Sequence, residues 1–227
     1  MLSEEKIEEN RKRYTELIES ISSEKGNIEG FLNWASKSDF FFAPASSKYH
    51  CNYPGGLCEH SLNVYDTLLK LVDKFESHYE YHEKERIVNE DGTESVSAEE
   101  VLVRNFSEDT LKVVALLHDI SKTNFYEQFM RNVKDENGNW TQVQEYKTRD
   151  ASDRFIFGSH EQNSEFIART FFNLTVEEST AILHHHAGKS WDSAQDDVSA
   201  VFTRYSLAVL LHMADMLSTF LIEKEDE

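Results

Sequence analysis

Between Val113 and Leu117 five consecutive apolar residues lead straight into His118 and Asp119, with Lys122 three residues further on. A helix that is apolar on nearly every side belongs in a core. Such a helix cannot close on an imidazole and a carboxylate that lack partners, because burying an unpaired polar group costs about 2–7 kcal/mol. The fold must bring other groups to this helix end. Either His118, Asp119 and Lys122 act as ordinary local caps, or they are part of a binding site assembled from elsewhere in the chain.

With 227 residues, 39% of them hydrophobic and 15 of them Phe, one sizeable core is within reach. Lys and Arg number 23 against 42 Asp and Glu, for a net charge of −19, which repels polyanions at long range. Long nucleic acid is therefore not an expected partner. A small phosphorylated anion is admissible, because bound divalent cations can dominate the local field. Cys51 and Cys58 have neither CxxC spacing nor a disulfide framework, and no secretory apolar segment opens the chain. A cytoplasmic location with Cys58 as a reduced packing residue is expected. No apolar run reaches the about 18 residues of a membrane span.

Residues 4–24 read as an amphipathic helix with Ile7, Arg11, Tyr14, Leu17, Ile18 and Ile21 on one face and Gly26 ending it, suited to packing or to a homo-oligomer contact. A short helix near residues 28–36 leads into the aromatic connection 39–47, and the turn Pro54-Gly55-Gly56 opens a long helix from Leu57 to Phe75. Residues 79–97 are polar, carry the turn signal Asn89-Glu90-Asp91-Gly92, and read as an exposed excursion between helices. In segment 125–147, Phe129 and Val133 precede Asn137-Gly138 while Trp140 and Val143 follow it, a β-hairpin pattern. Helical periodicity returns over residues 159–172, 175–186 and 199–223, with Thr175 and Glu178 spaced as a capping box. The expected architecture is all-α with one small hairpin insertion. Residues 1–38 form N-terminal helices packing on a body of residues 39–227.

Polar residues in apolar helical surroundings recur: His60, His118, Asp119, His160, His185 and Asp215. His60 lies one turn before Val64, on the face that goes to the core. Asp215 stands inside the apolar run 207–217. A lone histidine on such a face is more often a satisfied core residue than a ligand. Several helices each contributing one is how metal sites in helical bundles are built.

The order His60, His118-Asp119, Asp215 resembles the His…His-Asp…Asp signature of the HD-domain metal-dependent phosphohydrolases. The stretch Ala43-Pro44-Ala45-Ser46-Ser47-Lys48-Tyr49-His50 followed by Gly55-Gly56-Leu57-Cys58-Glu59-His60-Ser61 is similar to one found in bacterial and phage HD hydrolases and in HD-domain 3′-5′ exoribonucleases. Gly158-Ser159-His160-Glu161, Ala181-Ile182-Leu183-His184-His185-His186 and Leu211-His212-Met213-Ala214-Asp215 are similar to later motifs of such domains. The resemblance implies an HD-type helical bundle holding one ion through His60, His118, Asp119 and Asp215, with His160 and His185 recruiting a second. Within the histidine triplet the family spacing selects His185, leaving His184 and His186 to face substrate, support a ligand or lie exposed.

Imidazole and carboxylate together suit Mn, Fe, Ni, Zn or, less well, Mg. One or two such ions activate a hydroxide for in-line attack on phosphorus, and Asp119 is the natural bridge, with one oxygen for each. Lys122 either neutralises a phosphate oxygen as charge builds or compensates a helix dipole. His50 and His186 are candidates for substrate contact, and Asn63, one turn from His60, for support of a ligand. Lys147, Arg149 and Arg154 are either cations at a substrate mouth or a solvated patch, and Phe125, Tyr126 and Trp140 either stack on a base or pack the hairpin. The expected function is hydrolysis of a phosphomonoester or phosphodiester in a nucleotide or short oligonucleotide. Two rivals remain: a non-catalytic metal- or nucleotide-binding module, and a di-iron oxygenase built on the same cage.

Overall fold

In the computed structural model, residues 2–88, 94–154, 158–186 and 198–224 are described. Among these residues eight α-helices carry the body: α1 (Glu4–Glu19), α2 (Ile28–Lys37), α3 (Gly56–Phe75), α4 (Glu108–Leu117), α5 (His160–Phe171), α6 (Val176–Leu183), α7 (Val198–Arg204) and α8 (Ser206–Leu217). Side-chain caps start most of them where the sequence supplies a short polar residue. Ser3, Asn27, Ser107 and Ser159 each accept from a backbone N–H of their own first turn, and Thr175 with Glu178 forms the full capping box.

Helix α4 is the axis of the packing, with every residue from Leu111 to Leu117 buried. Leu57, Leu62, Val64, Leu68 and Val72 of α3 share one core cluster with it, together with Ile182 of α6 and Leu207 and Leu211 of α8. Each such side chain removed from water contributes about 1.5–3 kcal/mol. The N-terminal helices share this core through Tyr14, Ile18, Phe31 and Ala35. The Tyr14 hydroxyl donates to the Leu116 carbonyl at 2.9 Å, satisfying one acceptor that the helix end leaves open. α3 begins where it does because Gly55 takes a left-handed φ of 84° and Gly56 lies against the Cys51 carbonyl, where a Cβ would collide. That start sets the phase that turns His60 inward.

Three expectations need correction. Among the described residues there are two hairpins, not one. Besides β3 (Tyr126–Lys134) with β4 (Trp140–Thr148), residues read as a polar excursion form β1 (Ser77–Val88) and β2 (Glu94–Arg104), antiparallel with a register shift between Glu83 and Glu85. The turn signal at residues 89–92 lies outside the described residues. The first helix ends at Glu19, and a short 3-10 turn, Ser23–Lys25, separates it from Gly26. The periodic run 199–223 is broken as well: Tyr205 is extended, α7 and α8 meet at 110°, and a π-helix, Ser218–Ile222, follows α8. Apolar spacing continues through Tyr205, so periodicity alone does not reveal the break. No single helix among the described residues is long and apolar enough to cross a membrane.

Candidate metal centre

Several of these elements end or begin at one place. α3 brings His60 and the C-terminus of α4 brings His118 and Asp119, all completely buried. Ser121 donates through its backbone N–H to Ser164 Oγ and through its hydroxyl to the His160 carbonyl, fixing the start of α5 and its first residue, His160, beside Asp119. His185 follows the end of α6, and α8 supplies Asp215. All six residues expected as metal ligands lie in one cluster.

The ring nitrogens show what the cluster needs. His118 Nδ1 lies 2.8 Å from the Ala115 carbonyl and His185 Nδ1 2.6 Å from that of Ile182. A carbonyl only accepts, so these Nδ1 atoms carry protons and each ring turns its Nε2 to the cluster. His60 Nδ1 lies 3.0 Å from both oxygens of Glu223, with the same consequence. Yet His60 Nε2 and His118 Nε2 are 3.2 Å apart, and His160 Nε2 and His185 Nε2 are 3.3 Å apart. Ring nitrogens crowd one another, and the remaining neighbours are carboxylates.

Asp119 stands between the two pairs. Its Oδ2 is 3.5 and 3.6 Å from the Nε2 atoms of His60 and His118, and its Oδ1 is 3.4 and 3.5 Å from those of His160 and His185. Lys122 Nζ donates to Oδ2 at 2.6 Å, whereas Oδ1, fully buried, has no hydrogen-bond donor. Asp215 places Oδ1 3.2 Å from His60 Nε2 and Oδ2 3.3 Å from His186 Nε2. Burial alone would raise both aspartates; Lys122 and His118 outweigh it at Asp119, and His186 and His60 at Asp215, so both are held well below the ordinary carboxylate value. Burial pushes His118 and His160 down to about 3, leaving neutral imidazoles. His60 runs the other way: burial opposes its charge, but Glu223, Asp119 and Asp215 hold it protonated well above the usual histidine range.

Lone pairs and carboxylates converging in a buried space call for positive charge. A buried acceptor without a donor, facing histidines aligned through their second nitrogens, fits a divalent cation. Four sets of ligand atoms close enough to share an ion occur here: His60 with His118 and Asp119; His118 with His185 and Asp215; His160 with His185 and His186; and His50 with His60 and Glu223. Imidazole and carboxylate without thiolate fit first-row transition metals better than Ca.

The other expected residues divide. Lys122 is bound to Asp119, and the His50 ring lies 4.8 Å from that of His60 with both nitrogens buried and unpartnered. His186 touches the cluster through Asp215, whereas His184 Nδ1 faces the Thr180 carbonyl. Asn63 donates to Glu223 at 3.0 Å. Arg154 lies on the hairpin side, its Nε donating to the Arg149 carbonyl and its guanidinium 5.0 Å over the Phe125 ring.

Two glutamates escaped the sequence reading. Glu223 backs His60, and Glu161 stands 3.4 Å from His160 Nδ1 and 3.2 Å from His186 Nδ1. Burial would raise both; His60 for Glu223, and His186 for Glu161, help bring each down to about 2. Glu161 had a signal in its place directly after His160. Glu223 had none, because it opens an acidic run, Glu223-Lys224-Glu225-Asp226-Glu227, that looks like ordinary solubilising charge.

A cavity of about 500 Å³ opens onto the cluster, lined by Tyr49, His50, His186, His212, Asp215, Met216, Thr219 and Phe220. Among known proteins, the family model described as the HD domain matches residues 57–218. No curated protein and no solved structure matches the chain.

Proposed function

The chain belongs to the HD-domain family, and from that premise of metal-dependent, hydrolase-type chemistry we propose that it is a phosphohydrolase acting on a phosphomonoester or phosphodiester of a nucleotide or short oligonucleotide. The observation that carries this reading is the arrangement of two histidine pairs about the two separate oxygens of Asp119. It supports one ion held by His60, His118, Asp119 and Asp215 and a second by Asp119, His160 and His185. When bound, such ions lower the pKa of water and neutralise charge on phosphoryl oxygens. Manganese, iron, nickel and zinc suit these donors best, and magnesium less well.

The protein side of the chemistry follows from the same contacts. Glu223 keeps the proton of His60 at Nδ1, so that Nε2 stays directed into the cluster. Lys122, which neutralises Asp119 Oδ2, lends its charge to a phosphoryl oxygen in the transition state. Burial brings His50 down to about 4, helped by His60; as a neutral imidazole with unpartnered nitrogens it offers an N–H to substrate. His186, on the cavity wall with its nitrogens held by Glu161 and Asp215, faces substrate with its ring. Arg154 serves at most at the rim, attracting an anion to an otherwise acidic surface. The −19 charge favours a small substrate over a long polymer, and the two free cysteines suit a reducing, cytoplasmic setting.

The test is metal content together with a phosphoester panel assayed with Mn, Ni, Co, Mg and Zn, on the natural protein and on Asp119→Ala. Bound metal and turnover that both disappear in the variant support the reading. Undiminished metal and activity in Asp119→Ala would sink it, as would iron-dependent oxygen consumption with no phosphoester cleaved.

A further inference from the structure

The cavity at the cluster has two unlike walls. Its inner wall is His50, whose ring nitrogens are unpartnered, with His186 and Asp215, all at the cluster. Its outer wall is Tyr49, Met216 and Phe220, which are 80%, 46% and 61% exposed although large and apolar. The polar side chains between the walls are already engaged: the Thr219 hydroxyl with Asp215 at 3.4 Å, and His212 Nδ1 with the His185 carbonyl at 2.6 Å. The outer part of a ligand bound at the cluster therefore meets mainly flat rings and a thioether there.

We propose that Tyr49, Met216 and Phe220 form a clamp selecting phosphoesters whose alcohol carries a planar aromatic ring, a nucleobase being the fitting case. The proposal rests on the phosphoester reading above and deepens it. A ring-free polyol would bring hydroxyls to a wall with few free partners, and a site discriminates strongly against groups it leaves unpaired. A flat ring gains dispersion and stacking on the same wall, as bases do on aromatic side chains. Sulfur–ring contact from Met216 adds to this without demanding an exact orientation. At about 500 Å³ the space suits a ligand of nucleoside size. The hairpin aromatics are the weaker candidates, since Trp140 lies under Lys134 at 5.2 Å and Phe125 under Arg154.

The experiment compares kcat/KM for a nucleoside monophosphate, phenyl phosphate and glycerol phosphate in the manganese-loaded natural protein, in Tyr49→Ala/Phe220→Ala, and in Trp140→Ala. The expected result is a preference for ring-bearing substrates on the order of tenfold or more, carried by KM. That preference collapses in the double variant and persists in Trp140→Ala. A nucleoside monophosphate ahead of phenyl phosphate identifies the base as the ring; equal values identify any aryl group. No preference in the natural protein, or one abolished by Trp140→Ala alone, overturns the clamp. If no phosphoester turns over, the parent reading fails and calorimetric titration with the nucleoside monophosphate decides the clamp separately. Weaker binding in the double variant supports it, and equal or absent binding overturns it.

Discussion

The two ends of α4 each hold a buried carboxylate against a lysine. At the N-terminal end Glu178 Oε1 accepts from Lys25 Nζ at 2.6 Å and Thr110 Oγ1 at 2.7 Å, and Oε2 from Lys25 Nζ and the Thr175 N–H, both at 2.7 Å. At the C-terminal end Asp119 is equally buried and its lysine equally close, yet Oδ1 has no donor and four imidazole Nε2 atoms crowd its oxygens. Burial and charge pairing are alike at both ends, so neither marks function. What differs is completeness: Glu178 is satisfied by the fold and ties three elements together, whereas Asp119 is completed only by something the chain does not supply.

That contrast can be broken in graded ways. Asp119→Ala should reduce phosphoester turnover to background and Mn affinity by more than about 100-fold, measured by equilibrium dialysis; metal retention at the natural level would erase the distinction between the two ends. Glu178→Ala should leave metal bound per folded molecule unchanged while costing about 3–5 kcal/mol in urea unfolding, because it strands Lys25. Saturating metal, at about 100 times its dissociation constant, should stabilise the natural protein and Glu178→Gln alike by about 2.7 kcal/mol. The same addition should not shift Asp119→Asn, and chelation should reverse the gain. Glu223→Gln should weaken metal binding by about 10- to 100-fold with little change in unfolding, since it loosens the orientation of His60 without removing a ligand.

The smallest effect is in pH. Burial would raise Glu178, but Lys25 and the Thr175 N–H outweigh it and set its pKa below the ordinary 4.5. Its stabilisation is therefore complete above that value and is lost as pH falls through the depressed one. Urea midpoints should fall more steeply on acidification in the natural protein than in Glu178→Gln.

Much of the centre was legible because polarity inside an apolar run is conspicuous. His60, His118, Asp119 and Asp215 each interrupt a helical hydrophobic pattern, and the structure gathers them. Glu161 and Glu223 do not interrupt one. An acid in the first turn of α5 reads as dipole compensation, and an acid beyond α8 reads as surface. The hairpin β1–β2 was hidden for a related reason. Tyr79, Tyr81, Ile87 and Val96 are all exposed, so the few apolar residues of the ribbon mark no core face, and the charges between them read as a solvated loop. The Lys25–Glu178–Thr110 junction joins residues 153 and 68 positions apart, which no local pattern encodes, although its Thr175–Glu178 capping box was read directly.

The π-helix at Ser218–Ile222 delivers Glu223 to His60 from just past the residue where the family match ends. A chain cut back to Ser218 would therefore keep every matched residue, and nearly all of the core, while losing the carboxylate that holds His60 in its tautomer. Such a clipped protein would remain folded and look intact by most physical measures, yet load metal poorly.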